Sequence, residues 1–185
     1  MTTIDDVVRR PQRADARRNF DALIAAGRDV FAAEGAGASL EEIARRAGVG
    51  IGTLYRNFPT REALLEAVYV EEVQGLSRAA DEVSSLEPWD ALETWLHRFL
   101  EYLRTKQALV EGLNKTSEVM VVCRAAMYSA GGPLLARAQA AGVARDDVMI
   151  EDAVRMLAGV SSAAFADDDQ RDRVMAITID ALRAR

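Results

Sequence analysis

The chain has 185 residues with 50% hydrophobic and 28% charged content, enough apolar side chain for a core and too varied a composition for disorder. One cysteine and one histidine exclude a disulfide framework and leave little for an imidazole–thiolate metal site, so neither metal nor cofactor is expected. The net charge of −6 is uneven: residues 1–61 carry 10 Arg against 8 acidic side chains, the remainder 13 basic against 21 acidic. Salt screens charge over about 8–10 Å, so an acidic far body does not exclude a local contact with phosphates. No 18-residue apolar run is read, and the N-terminus carries acids and no apolar stretch. Neither a membrane span nor a signal peptide is therefore expected, and the expected compartment is the cytoplasm.

Residues 1–12 lack helical periodicity and lead into a basic cluster, Arg9, Arg10, Arg13, Arg17 and Arg18. They read either as an arm that touches phosphate or the minor groove, or as a solvated tail. From Arg13 to Glu34, Phe20, Leu23, Ile24, Val30 and Phe31 fall on one stripe of a helix, which Gly35 and Gly37 end. Ser39 opens the next helix, and Ser39 with Glu42 fits a capping box. Leu40, Ile43, Ala44 and Ala47 form its buried face; Arg45 and Arg46 point outward or sideways. Gly48, Val49 and Gly50 make a tight turn, and a two-turn helix from Ile51 to Asn57 ends at Phe58-Pro59. In it Leu54 and Phe58 pack inward. That leaves Ile51, Gly52, Thr53, Tyr55, Arg56 and Asn57 outward, residue types that serve no core but suit phosphate oxygens and base edges. Thr60 caps a third helix from Arg61, whose free amides beside a cation make a phosphate site.

The pattern Ser39-Leu40-x-x-Ile43-Ala44-x-x-Ala47-Gly48-Val49, then Gly52-Thr53-Leu54-Tyr55-x-x-Phe58-x-x-Arg61-Glu62-x-Leu64-Leu65, resembles the DNA-binding domain of TetR-type regulators across residues 13–70. The resemblance implies that Thr53, Tyr55 and Arg61 hold phosphates. It also implies that Gly50, Ile51, Gly52 and Asn57 lie at or near base edges. Ser39 and Arg56 are expected in the DNA-binding interface as well. That family usually has Lys at the position of Arg61, Ser or Ala at Ile51, and Tyr or His at Asn57. Ile51 and Asn57 are accordingly where sequence preference is expected to be set. The implied organisation is an arm (1–12), a helix-turn-helix domain (13–60) and a ligand-binding and dimerisation body (61–185).

Beyond Arg61 the spacing predicts helices over 61–85, from Pro88 to about Leu103, 105–116, 118–141, from Asp146 or Asp147 to Phe165, and from Asp167–Asp169 to Arg183. A break or bend is expected near Gly131-Gly132-Pro133. No segment alternates with period two, so the fold class is all-α with about nine helices. The run Gly132-Pro133-Leu134-Leu135-Ala136-Arg137-Ala138-Gln139 through Gly142-Val143 resembles the C-terminal domain of a TetR subgroup. On the last two helices Ala153, Met156, Leu157, Val160 and Ala164 form one stripe, and Val174, Ile177, Ala181 and Leu182 another. They read as a two-fold dimer interface or as intramolecular core, and two headpieces reading two half-sites favour the dimer. Trp95, Phe99, Tyr102, Met120, Cys123, Met127 and Tyr128 sit on the helices that line the effector cavity in the resembling family, and plain core is the alternative for each.

The expected function is a dimeric regulator on a palindromic double-stranded operator, a repressor released by a small-molecule effector. Two rivals stand beside it. One is a regulator of the same DNA-binding type controlled by a protein partner or acting as an activator. The other is a helical-bundle enzyme, against which stand the single histidine and the absence of any Glu-x-x-His repeat.

Overall fold

A computed structural model describes residues 4–8, 10–110, 113 and 117–184. Among these residues the chain is all-helical: α1 (Ile4–Val7), α2 (Ala14–Glu34), α3 (Leu40–Arg46), α4 (Ile51–Asn57), α5 (Arg61–Glu82), α6 (Pro88–Val110), α7 (Glu118–Ala140), α8 (Ile150–Ser161) and α9 (Asp168–Asp180). The first is a single turn inside the segment expected to be a non-helical arm; residues 1–3 and Arg9 lie outside the described residues. The helices fall into two compact units, Met1–Gln74 with Arg104–Arg124, and Gly75–Leu103 with Ala125–Arg185.

In the first unit the predicted stripe of α2 is fully buried, and Gly35 ends the helix at φ 80° while donating its amide to Phe31 O. Gly48, at φ 70°, turns the chain after α3. The stub α4 then docks through Leu54 and Phe58, and the Phe58 ring lies 4.9 Å from that of Phe20. Such a short helix gains its stability from that packing and not from propensity. Leu64, Leu65, Val68 and Tyr69 of α5 complete this core. Arg10 is tied to Asp21 (3.0 Å) and Glu71, so the described end of the arm is fastened to α2 and α5.

In the second unit Trp95, buried completely, stacks on Phe99 and donates its indole N–H to Leu76 O at 3.0 Å. Gly131 of α7 lies against it. A Cβ there would come within 2.5 Å of the Trp95 ring and 2.9 Å of Ile150, which is why a glycine stands inside this helix.

Several boundaries differ from the sequence expectation. No break separates α6 from a helix at Thr105, because residues 104–110 hold no glycine or proline and α6 runs on to Val110; the rest of the expected 105–116 helix falls largely outside the described residues. Helix α7 passes through Gly131-Gly132-Pro133 unbroken. Proline there removes a single helical donor, and the Pro133 ring is exposed. The continuous α7 is long and apolar enough, by length and composition, to span a membrane, which corrects the expectation that no such stretch exists. Of that apolar stretch 33% is buried in protein, and Met120, Cys123, Met127, Leu134, Leu135 and Ala138 are among the buried residues of the helix. Helix α8 begins at Ile150, with Asp152 accepting the Met149 amide at 2.9 Å, because Asp147 is held by Arg145 at 2.6 Å. It ends at Ser161 rather than near Phe165, and α9 ends at Asp180.

Candidate nucleic-acid interface

The helix-turn-helix is built as the spacing demands. Ser39 caps α3, its Oγ accepting from the Glu42 amide at 3.2 Å. The return half of the expected capping box is not made. The Ser39 hydroxyl instead donates to Glu41 (3.0 Å), while the Glu42 carboxylate takes Arg45 (2.7 Å, twice) and Arg46 (2.6 Å). These two arginines hold the Glu42 carboxyl at about 2, well below its ordinary range. Glu41 is also lowered, first by its own backbone amide, then by Ser39 and by the charge of Arg61. The Glu42–Arg45–Arg46 cluster was missed in the sequence, although i, i+3 and i, i+4 spacing of opposite charges is its signal.

Helix α4 presents a graded surface. Leu54 is fully buried, Thr53 and Asn57 are half-buried, and Ile51, Gly52, Tyr55 and Arg56 are exposed, Tyr55 to 47%. Gly50 is its exposed N-cap residue. The polar side chains turn back onto their own helix: Arg56 donates to Gly52 O (3.2 Å) and to Thr53 Oγ1 (3.0 Å), and the Asn57 amide to Thr53 O (2.8 Å). At the start of α5, Thr60 Oγ1 accepts from the Ala63 amide at 3.1 Å. Arg61 is half-buried, its Nη1 donating to Ala36 O (3.1 Å) and Ala38 O. The guanidinium thus fastens the loop that carries Ser39, an arrangement the sequence did not disclose because its partners lie more than 20 residues away and are backbone carbonyls.

This geometry agrees with the comparisons. Residues 23–68 match the model of bacterial regulatory proteins of the tetR family, and residues 87–184 that of the SbtR-like transcriptional regulator C-terminal domain. A TetR transcriptional regulator from Streptomyces coelicolor is 38% identical with a TM-score of 0.76, the match covering 89% of this chain and 98% of that one. A TetR regulator from Mycobacterium vanbaalenii is 34% identical with a TM-score of 0.74, covering 94% and 100%. The chain belongs to the TetR family of transcriptional regulators. RolR, solved with its ligand resorcinol, shares the fold at 20% identity and a TM-score of 0.59, the match covering 94% of this chain and 92% of that one. No curated protein sequence matches.

Of the residues expected at an effector site, Trp95, Phe99 and Tyr102 form a run of buried rings with centroids 6.1 and 5.6 Å apart. Met127 is buried and Tyr128 half-buried in the same unit, while buried Met120 and Cys123 belong to the other. Burial, with the charge of Glu66 second, pushes the Cys123 thiol up to about 12. The residues expected at a dimer interface divide. Ala153, Leu157 and Leu182 are buried within the protomer; Val160 and Val174 are half-buried; Met156, Ala164, Ile177 and Ala181 are exposed, Ile177 to 69%. Met149, 59% exposed just before α8, was not anticipated, since it lies outside the helical stripe. Among the described residues no group of three or more His, Cys, Asp and Glu side chains is arranged to hold a metal ion.

Proposed function

We propose that the protein is a homodimeric repressor that binds a palindromic operator in the cytoplasm and leaves it when a small molecule binds the body. The observation that carries this is the polar, outward face of α4, held on a docked helix-turn-helix whose family regulates transcription. Ser39, Thr53, Tyr55 and Arg61 supply phosphate contacts, and Gly50, Ile51, Gly52 and Arg56 the face that meets the bases, with Asn57 on its flank. Exposed Met156, Ala164, Ile177 and Ala181, on and beside α8 and α9, pair with a second copy. RolR's binding of resorcinol on the same fold supports a small-molecule ligand, which we place near Trp95, Phe99, Tyr102, Met127 and Tyr128 of the second unit. An effector releases DNA only by binding the DNA-incompetent headpiece spacing more tightly than the competent one. No catalysis and no membrane insertion form part of this function.

One observation favours control by a protein partner instead: Gly131 packs against Trp95 and Ile150 without room for a methyl group. The experiment that tests the proposal is selection of bound duplexes from fragmented genomic DNA, followed by a gel-shift screen of small molecules on the selected site. A two-fold symmetric site, released by one compound class, is expected. A protein that enriches no sequence at physiological salt refutes the DNA-reading function. A site that no compound releases points to the protein partner.

A further inference from the structure

The face of α4 has a geometric centre, and the sequence-based choice of Ile51 and Asn57 as the specificity positions misses it. Leu54 and Phe58 are the two side chains that anchor α4 and its C-cap. At about 100° per residue, Arg56 is two positions from each of them, and so about 200° around the helix from both. It stands opposite the packed side. Tyr55 and Asn57 each lie only one and three residues from the anchors, which puts them on the flanks. Their environments agree: Arg56 is exposed, whereas Asn57 is half-buried with its amide committed to Thr53 O at 2.8 Å.

The partners of Arg56 add a second argument. In a helix the side chain leans toward the N-terminus, and the guanidinium lies over Gly52, held by Gly52 O and Thr53 Oγ1. Both acceptors are neutral, and the site is exposed. Arg45, by contrast, is held by a carboxylate. Moving Arg56 onto an external acceptor therefore separates no ion pair. Glycine inside a helix is unfavourable, and at Gly52 no neighbouring atom would meet a Cβ within 4 Å, nor is φ positive. Nothing inside the protomer requires glycine there. The bare backbone leaves open space beside Arg56 through which a partner can approach.

We infer that Arg56 reads a guanine in the major groove, one in each half-site, through its fork on N7 and O6. That pairing is the one its planar donors fit, and the groove's width of about 12 Å admits such a helix. Asn57 acts as an internal brace of α4 and does not touch the bases. This rests on the DNA-reading function proposed above, and the test separates the two.

The test is selection from a pool of duplexes with randomised cores, using the full chain, Arg56→Ala and Asn57→Ala. The parent is expected to enrich paired half-sites containing a fixed G·C pair. Arg56→Ala should lose the preference at that pair, on the order of 10- to 100-fold, while keeping the other positions. Asn57→Ala should enrich the parent's site. Independently of any variant's folding, 7-deazaguanine at the selected position removes N7; it should weaken the parent and leave Arg56→Ala unchanged. If Arg56→Ala enriches the same site, or binds all sequences uniformly less well, Arg56 does not read guanine and the inference is overturned. It is overturned equally if Asn57→Ala is the variant that changes the consensus, or if 7-deazaguanine has no effect on the parent. A parent that enriches nothing removes the DNA-reading function and this inference together.

Discussion

Helix α4 and the α8–α9 pair both leave side chains outside the protomer that no core needs, but they do so with opposite chemistry. The free polar groups of α4 are parked on acceptors of their own helix: Arg56 on Gly52 O and Thr53, Asn57 on Thr53 O. Such groups are satisfied in water and can exchange for other acceptors at small net cost. Met156 (36% exposed), Ile177 and Met149 can make no such arrangement, because only burial satisfies an apolar side chain. The first face suits reversible binding; the second is expected to be covered by a like face of a second copy. Introducing a charge at its most exposed point breaks the comparison most severely. Ile177→Arg is expected to yield a folded monomer, seen by sedimentation at micromolar concentration. It should also lower operator affinity by roughly 10²- to 10⁴-fold, the advantage of two linked headpieces over one. A dimer retained in this variant would move the interface away from α9.

Within the headpiece the same contrast separates Tyr55 from Arg61. Tyr55 is exposed, so Tyr55→Ala should weaken DNA binding by about 1 kcal/mol and leave the melting temperature unchanged. Arg61 is bound to Ala36 O and Ala38 O and has donors to spare, since a guanidinium carries five. Arg61→Ala should therefore cost stability, about 1–3 kcal/mol for charge-assisted bonds, and also reduce the salt dependence of binding by about one phosphate equivalent. Arg61→Lys keeps the charge and loses the fork; it should retain the salt slope and lose part of the stability. An Arg61→Ala protein with unchanged melting would show the two carbonyl contacts to be unimportant.

What could be read in the sequence followed the range of the interactions involved. The stripe of α2, the Ser39 cap, the turn at Gly48 and the anchors Leu54 and Phe58 depend on neighbours within a helical turn or on burial, and all four form. Arg61's acceptors, the Arg10 link to Glu71 and the Gly131–Trp95 contact lie 23 to 61 positions apart, and no local pattern announces them. The misplaced start of α8 has a local cause: three acids, Asp146, Asp147 and Asp152, compete as caps, and Arg145 removes Asp147 from the contest. Helix α6 runs on past Leu103 because nothing in 104–110 interrupts it, and α7 stays continuous because packing overrides the punctuation value of Gly131-Gly132-Pro133.

Gly131→Ala sharpens the contrast between surface and interior in the α8–α9 unit. A methyl group aimed at the Trp95 ring must displace it, and overpacking of this kind costs about 1–3 kcal/mol. Thermal unfolding should report that loss. Sedimentation should still find a dimer, because Gly131 is buried and packs against the buried Trp95 and Ile150, not against Met156 or Ile177. Loss of dimer without loss of stability would reverse the assignment of the two surfaces.

The smallest effect concerns arginines held by charge. Glu42 binds Arg45 and Arg46 on an exposed helix, where salt bridges contribute little. Its carboxyl is lowered from 4.5 to about 2 in the folded protein. A depressed carboxyl contributes stability that is present above the unfolded value and lost as pH falls through the folded one. Glu42→Gln should thus differ slightly from the parent above pH 4.5, with the difference vanishing as pH approaches 2. Carbon NMR of the Glu42 carboxyl should titrate near 2, moving upward in Arg45→Ala and again when Arg46 is also replaced. Because Arg45 leaves a carboxylate to meet any external anion, Arg45→Ala should also change operator affinity less than Arg56→Ala, whose side chain leaves only neutral acceptors. The reverse order would place the strongest DNA contact on α3 and remove the distinction between an arginine held by charge and one merely parked.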